Sequence, residues 1–442
     1  MGRFNNSNAV AGAPAELRPV TFEASVVTLP RADSSLMQQA GFALLCLFAV
    51  SAYANEFATR LFHVKAYIST VSWVLLPLLL LVSGNVFRGV RDVIGRLWVL
   101  FLAWMCLAVP FSVWKGGSVA ALVDYVPHGW LQFFYFAVFA ISVRHLRRVM
   151  LFLIAADFLL LVDCFWGGSM QTGRLEIPDS MFFRNANDLS LQLIIAITQF
   201  LYLLYQREVW KRVAGGAGML AGLVFLFETG ARGAFVAMLG LAAAILVLGK
   251  HRIRFVLAAV PIAVGALALA PASVFHRITL ISIEPENVAA RDSQDDAAIS
   301  SQRQRLALLG QSVMYAVTHP LVGVGPGQFG AAVAADAARE GKQATWLGTH
   351  NSYTQVASEC GIPALLIYTG VVFLVLRSNL RIYRRAPEDS SDVSALAFCL
   401  FAGTLGYAID TFFFHVAYSS YLPAIAGMSV ALRLAVDRRL WT

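Results

Sequence analysis

Twelve apolar stretches, each near the roughly 20 residues needed to cross the hydrocarbon core of a bilayer, succeed one another between residues 38 and 435. They fall at 38–54, 67–86, 97–114, 119–142, 149–166, 186–205, 213–229, 233–249, 255–271, 352–376, 392–413 and 417–435. A soluble domain of 442 residues has no interior large enough for a chain that is 58% hydrophobic and only 14% charged. The expected fold is therefore an all-α polytopic membrane protein of about twelve transmembrane helices.

The basic residues then sort by side. Arg88, Arg91 and Arg96, then Arg144, Arg147 and Arg148, then Arg207, Lys211 and Arg212 occupy alternate short loops. Lys250, Arg252 and Arg254, Arg377, Arg381, Arg384 and Arg385, and the basic residues of both tails continue the same series. The positive-inside rule makes that side cytoplasmic. An even number of spans puts both termini there as well. The pI of about 9.4 thus reflects span-flanking charge, and a nucleic-acid partner is excluded because no polar domain gathers that charge.

The expected organisation is a cytoplasmic N-terminal tail over residues 1–35, a membrane domain over 36–435 and a cytoplasmic C-terminal tail over 436–442. Ala52-Tyr53-Ala54 imitates a signal-peptidase site, but the preceding tail is too long for an n-region, and no cleavage is expected. No internal repeat is evident. The five cysteines (Cys46, Cys106, Cys164, Cys360 and Cys399) lie in or beside apolar runs and show neither disulfide nor zinc spacing.

One outer loop, residues 272–350, is far longer than the others, and long loops in compact domains are commonly functional or disordered. Its beginning, through Arg291-Asp292-Ser293-Gln294-Asp295-Asp296, is polar. Gln302-Arg303-Gln304-Arg305 leads into Leu306, Leu309, Val313 and Val317 at helical spacing, ending at His319-Pro320. Such an amphipathic helix either lies on the bilayer surface or packs over the bundle. Gly323-Val324-Gly325-Pro326-Gly327 must turn, and an alanine-rich helix over 331–340 should stop at Gly341. The glycine run follows no strand and lacks Lys-Ser/Thr, so it is neither a dinucleotide fingerprint nor a P-loop. Asp295-Asp296 has no histidine at ligand spacing, and no metal site is expected. No nucleophile elbow is present.

The residues able to carry chemistry collect on the outer side. His350 precedes the tenth span, with Asn351 or Ser352 as its N-cap. The positive end of a helix disfavours imidazolium, which suits a proton acceptor, although an interfacial histidine bonded to headgroups would look the same. Arg232, in Thr229-Gly230-Ala231-Arg232-Gly233, offers a rigid fork for phosphate oxygens at the mouth of spans seven and eight. Snorkelling is the bland alternative. Arg303 and Arg305 lie about 200° apart on a helix, so only one faces a site; Arg305 is the first choice and Arg303 the reserve. Arg184 and Asn187 open span six, where Asn187 either caps the helix or helps its N-terminus bind an anion. Glu359 lies two turns into span ten, before the helix-loosening Gly361 and Pro363. Asp410 and His415 flank the last outer turn. Intramembrane carboxylates are functional candidates, yet pairing with an arginine satisfies the same physics.

Taken in order, Thr229-Gly230-Ala231-Arg232-Gly233-Ala234, Arg305, His319-Pro320-Leu321-x-Gly323-x-Gly325-Pro326-Gly327-x-Phe329, His350-Asn351-Ser352-Tyr353 and Glu359-x-Gly361 resemble the O-antigen ligase family. The family shares its core domain with some O-antigen polymerases and bacterial protein-O-oligosaccharyltransferases. The resemblance covers roughly residues 180 to 380. It implies a GT-C-like bundle with short amphipathic helices in a periplasmic loop. It also implies transfer of a glycan from undecaprenyl diphosphate to a sugar hydroxyl of the lipid A core, at the periplasmic face of the bacterial inner membrane. Carried over, His350 becomes the general base, and Arg232 and Arg305 bind the diphosphate. Arg303, Arg184, Asn187, Glu359 and Asp410 become candidate substrate-binding residues. No cofactor and no metal ion are expected, and membrane lipids hold the bundle. A polymerase of the same superfamily is the nearest alternative. A lipid-linked glycan transporter is the alternative from another class, although transporters tend to place charged or broken segments at the midplane, in repeated halves.

Overall fold

The computed structural model describes residues 36–62, 68–83, 85–171, 173–180, 182–183, 185–250, 265, 293–343, 346–386 and 391–438. The tail over 1–35, all of the expected span 255–271 except residue 265, and Arg184 lie outside the described residues. Helices dominate because a backbone in hydrocarbon must satisfy its own hydrogen bonds. They are α1 (Leu36–Phe62), α2 (Ile68–Val82), α3 (Val86–Val90), α4 (Val93–Ala108), α5 (Lys115–Tyr125), α6 (Gln132–Phe139) and α7 (Val143–Gly167). The series continues with α8 (Ala186–Leu204), α9 (Val209–Thr229), α10 (Arg232–Leu248), α11 (Ser293–Thr318), α12 (Phe329–Arg339), α13 (Ser352–Arg385), α14 (Ser391–Asp410) and α15 (Tyr421–Asp437).

This is an all-α polytopic membrane protein. Six of the described helices are long and apolar enough to cross a bilayer: Val93–Phe111, Val143–Gly167, Ala186–Leu204, Val209–Thr229, Ser352–Arg385 and Asp392–Asp410. Leu36–Ser51, Thr70–Val82 and Arg232–Leu248 are shorter apolar helices. Helix α8 is buried on nearly every face, and that burial includes the polar Ser190, Gln192 and Thr198. It packs on α9 and α14, while α13 packs on α14, α11 and α4. At the arginine-rich end Asp392 joins α14 to its neighbours. It pairs with Arg147 at 3.3 Å and accepts hydrogen bonds from Tyr202 at 3.0 Å and Gln206 at 3.3 Å.

One expectation needs correction. The stretch 119–142 is not one continuous span. Pro127 withholds an N–H, a π-helical turn over Val126–Trp130 follows α5, and the chain restarts as the wholly buried α6. A two-stranded antiparallel hairpin, β1 (Ser169–Gln171) with β2 (Arg174–Glu176), interrupts the segment before α8. On α11 the buried stripe is Leu308, Ser312 and Tyr315, whereas Leu306, Val313 and Val317 are exposed. Leu308 and Tyr315 pack on Phe329 and Val333 of α12 in a small separate core. The Tyr315 hydroxyl donates to Asp336 at 2.5 Å. Helix α12 ends where expected, with Gly341 at φ +67° and the Lys342 N–H closing on the Ala337 carbonyl at 2.8 Å.

Candidate active site

Helix α13 breaks at Gly361, whose φ of 84° and ψ of 172° are not helical. Such a break orphans main-chain groups that hydrocarbon cannot satisfy. The glycine-rich turn supplies the partners. Val324 N–H donates to the Ser358 carbonyl at 2.8 Å, Gly325 N–H to the Glu359 carbonyl at 2.9 Å, and Ile362 N–H to the Pro320 carbonyl at 2.7 Å. The Trp104 indole donates to the Cys360 carbonyl at 3.0 Å. Side chains have no room in this seam: a Cβ on Gly361 would sit 2.1 Å from the Leu321 oxygen, and one on Gly323 would sit 2.3 Å from the Glu359 carbonyl carbon.

Glu359 completes the lock. Its carboxylate accepts from Gly327 N–H at 3.0 Å and Phe329 N–H at 3.3 Å, with the Tyr418 hydroxyl beside it. The His319–Phe329 run and the Glu359-x-Gly361 run are thus two halves of one interlock. The arginine-partner reading of Glu359 is not what the structure shows: the groups that bond it are main-chain N–H.

The interlock fixes α11 against α13. Arg305, half-buried on α11, is driven below the usual guanidinium range by burial and then by the charge of Arg232. Arg303 is exposed. Arg232 begins α10, where Gly230 (φ 58°) ends α9 in the left-handed conformation. Among the described residues no side chain caps α10, and the start of that helix adds its own positive end to the guanidinium. The Arg174 guanidinium steadies this junction. Its Nε donates to the Thr229 carbonyl and its Nη2 to Asn187 Oδ1, each at 2.9 Å. Asn187 is therefore engaged by Arg174, and the N-cap of α8 is Asn185, whose Oδ1 accepts from Asn187 N–H at 2.9 Å. Sequence reasoning overlooked Arg174, whose only signal is an arginine next to Gly173.

His350 occupies the turn before α13 with φ 53°, an uncommon region for a residue with a Cβ, and such strain concentrates at functional positions. Asn351 is the N-cap, its Oδ1 accepting from Tyr353 and Thr354 N–H at 2.9 Å each. Burial, then His415, then Arg305 lower the His350 pKa to about 4. Its imidazole is neutral at pH 7 and free to accept a proton. Burial and Arg305 push His415 down too. Asp410 is buried at the end of α14, and its Oδ2 has no hydrogen-bond partner among the described residues. Among the described residues no group of three or more His, Cys, Asp or Glu side chains gathers to hold a metal.

The structure thus links Arg232, Arg305 and His350 electrostatically and adds His415 to them. Residues 217–369 match the family model described as O-antigen ligase. The chain carries an O-antigen ligase family domain. The matched segment is narrower than the expected 180–380 but contains Arg232, Arg305, the glycine-rich turn, His350 and Glu359. Arg174, Asn187, Asp410 and His415 lie beyond it. No curated protein sequence matches the chain. The match supports kinship of this segment with O-antigen ligases, polymerases and oligosaccharyltransferases, a superfamily associated with lipid-linked glycans.

Proposed function

We propose that this protein is an O-antigen ligase. It transfers a glycan from undecaprenyl diphosphate to a sugar hydroxyl of the lipid A core, at the periplasmic face of the bacterial inner membrane. The observation that carries this reading is a neutral imidazole in the field of Arg305, which in turn feels Arg232, at one end of an apolar bundle. The neutral base suits a hydroxyl acceptor, and the two guanidinium groups suit a diphosphate leaving group.

In this mechanism an unprotonated nitrogen of His350 takes the acceptor hydroxyl proton as the oxygen attacks the anomeric carbon. The new carbon–oxygen bond forms while the bond to the diphosphate breaks, and the electron pair stays on the phosphate oxygen. Arg232 and Arg305 bind the developing charge through bidentate hydrogen bonds, without a metal ion. Attack from the face opposite the leaving group inverts the anomeric centre.

Deleting the gene in its host and analysing lipopolysaccharide on gels tests the reading. The expected result is loss of all core-attached long-chain glycan with accumulation of polyprenyl-linked polymer. The wild-type gene should rescue, while His350→Ala and Arg232→Ala should not. Core bearing a single repeat unit would instead identify a polymerase, and unchanged lipopolysaccharide would defeat both.

A further inference from the structure

Three polar side chains following His350 bond to main-chain groups of the turn between α14 and α15. Asn351 Nδ2 donates to the Phe412 carbonyl at 3.0 Å. Ser352 Oγ donates to the Phe414 carbonyl and accepts from Val416 N–H, both at 2.8 Å. Gln355 Oε1 accepts from Ala417 N–H at 3.2 Å. Main-chain Ser352 N–H adds a bond to the Thr411 carbonyl at 2.8 Å. These bonds bracket one residue, His415, on both sides.

His415 is seated with little freedom. Its ring lies so close to Gly348 that a Cβ there would sit 2.2 Å from Nε2. The ring meets His350 edge to face, with centroids 5.1 Å apart and planes at 85°. Packing alone would be served by a phenylalanine, and Phe412, Phe413 and Phe414 precede it. Instead two imidazoles meet, and the Nδ1 of each is buried with no hydrogen-bond partner among the described residues. Buried polar atoms of this kind are uncommon in folded proteins and call for an explanation such as a ligand or a catalytic role.

We propose that His415 is a positioning residue of the transfer site, setting the orientation in which the His350 ring meets the acceptor hydroxyl. This rests on the reading of His350 as the proton acceptor. Two groups on other elements act on His350: His415 from the turn and Arg305 from α11, whose own neighbour is Arg232 on α10. The hydroxyl of Tyr353, on its own element, is bound to the Ala408 carbonyl at 2.8 Å. Protonated His415 opposes a second proton on His350. Removing His415 therefore lets His350 protonate at higher pH.

The test uses the full-length protein carrying ¹³C/¹⁵N-labelled histidine, with His350→Asn to assign its resonance, and compares wild type, His415→Phe and His415→Ala. His415→Phe keeps a ring against Gly348 if the smaller variant fails to fold. The expected result is a His350 titration displaced to higher pH in both variants. With purified donor and acceptor, His415→Ala should lose about tenfold or more in kcat, as misplacement of a reacting group does, with the donor KM within about twofold. The acid limb of the His415→Phe rate profile should move up with the titration. An unmoved titration, or wild-type kcat in His415→Ala, overturns the proposal while leaving the ligase reading intact. A titration displaced in the variants, with wild-type protein that transfers no glycan, defeats the ligase reading instead, and His415 then orients His350 for no transfer step.

Discussion

Arg305 and Arg303 stand two residues apart, and only one of them shares a field with His350. Arg305 is half-buried and feels Arg232, while Arg303 is exposed on the opposite side of α11. Two like charges partly withdrawn from water repel each other, and a bound anion relieves that repulsion. In a transfer assay Arg305→Ala should lose about 10²–10³-fold in kcat, the scale of a lost charge-stabilising donor. Arg303→Ala should stay within about threefold, as a solvated charge does. Arg305→Lys keeps the charge but loses the planar fork, and should fall between them. Equal losses at 303 and 305 would show that α11 contributes diffuse charge and no specific contact.

At the scale of elements, the broken helix α13 and the glycine-rich turn hold each other in place. Glu359→Gln tests the lock with little change of volume. One carboxylate oxygen would become an NH₂ facing a main-chain N–H, and leaving a buried donor unpaired costs about 1–3 kcal/mol. A lower midpoint of thermal unfolding is expected in purified protein, and an unchanged midpoint would show that Glu359 holds nothing. Gly361→Ala should be worse, since the residue needs φ 84° and its new Cβ would meet the Leu321 oxygen. The lock also marks where sequence stops being readable. Glu359, Gly361, Gly325 and Gly327 stand out as letters, but main-chain N–H groups carry no residue identity, so the partner of Glu359 was invisible. For the same reason the exposed stripe of Leu306, Val313 and Val317 was legible, while the opposite stripe of Leu308, Ser312 and Tyr315 that meets α12 was not. His350, Arg232 and Arg305 were legible because charges that interrupt apolar runs are rare. His415 was legible as a residue and not as a site, since only the folded turn carries it to His350.

At the scale of the whole molecule, α13 relates the site to the membrane. His350 precedes its first residue, and Arg377, Arg381, Arg384 and Arg385 lie on its last turns. At about 1.5 Å per residue the helix is longer than the roughly 30 Å hydrocarbon core, even with its kink. The two charged zones therefore belong to opposite faces. By the positive-inside rule the arginine cluster is expected on the cytoplasmic face, and the proposed function then needs His350 on the periplasmic one. Labelling tests this directly. With the five native cysteines replaced, a cysteine at Lys342, exposed just beyond α12, should react with an impermeant maleimide applied to spheroplasts. A cysteine at Arg385, exposed at the far end of α13, should react only after the membrane is opened. The reverse pattern would put the imidazoles and arginines in the cytoplasm, on the wrong side of the bilayer for a lipid A-core acceptor that is ligated in the periplasm, and the ligase reading would fall with the topology.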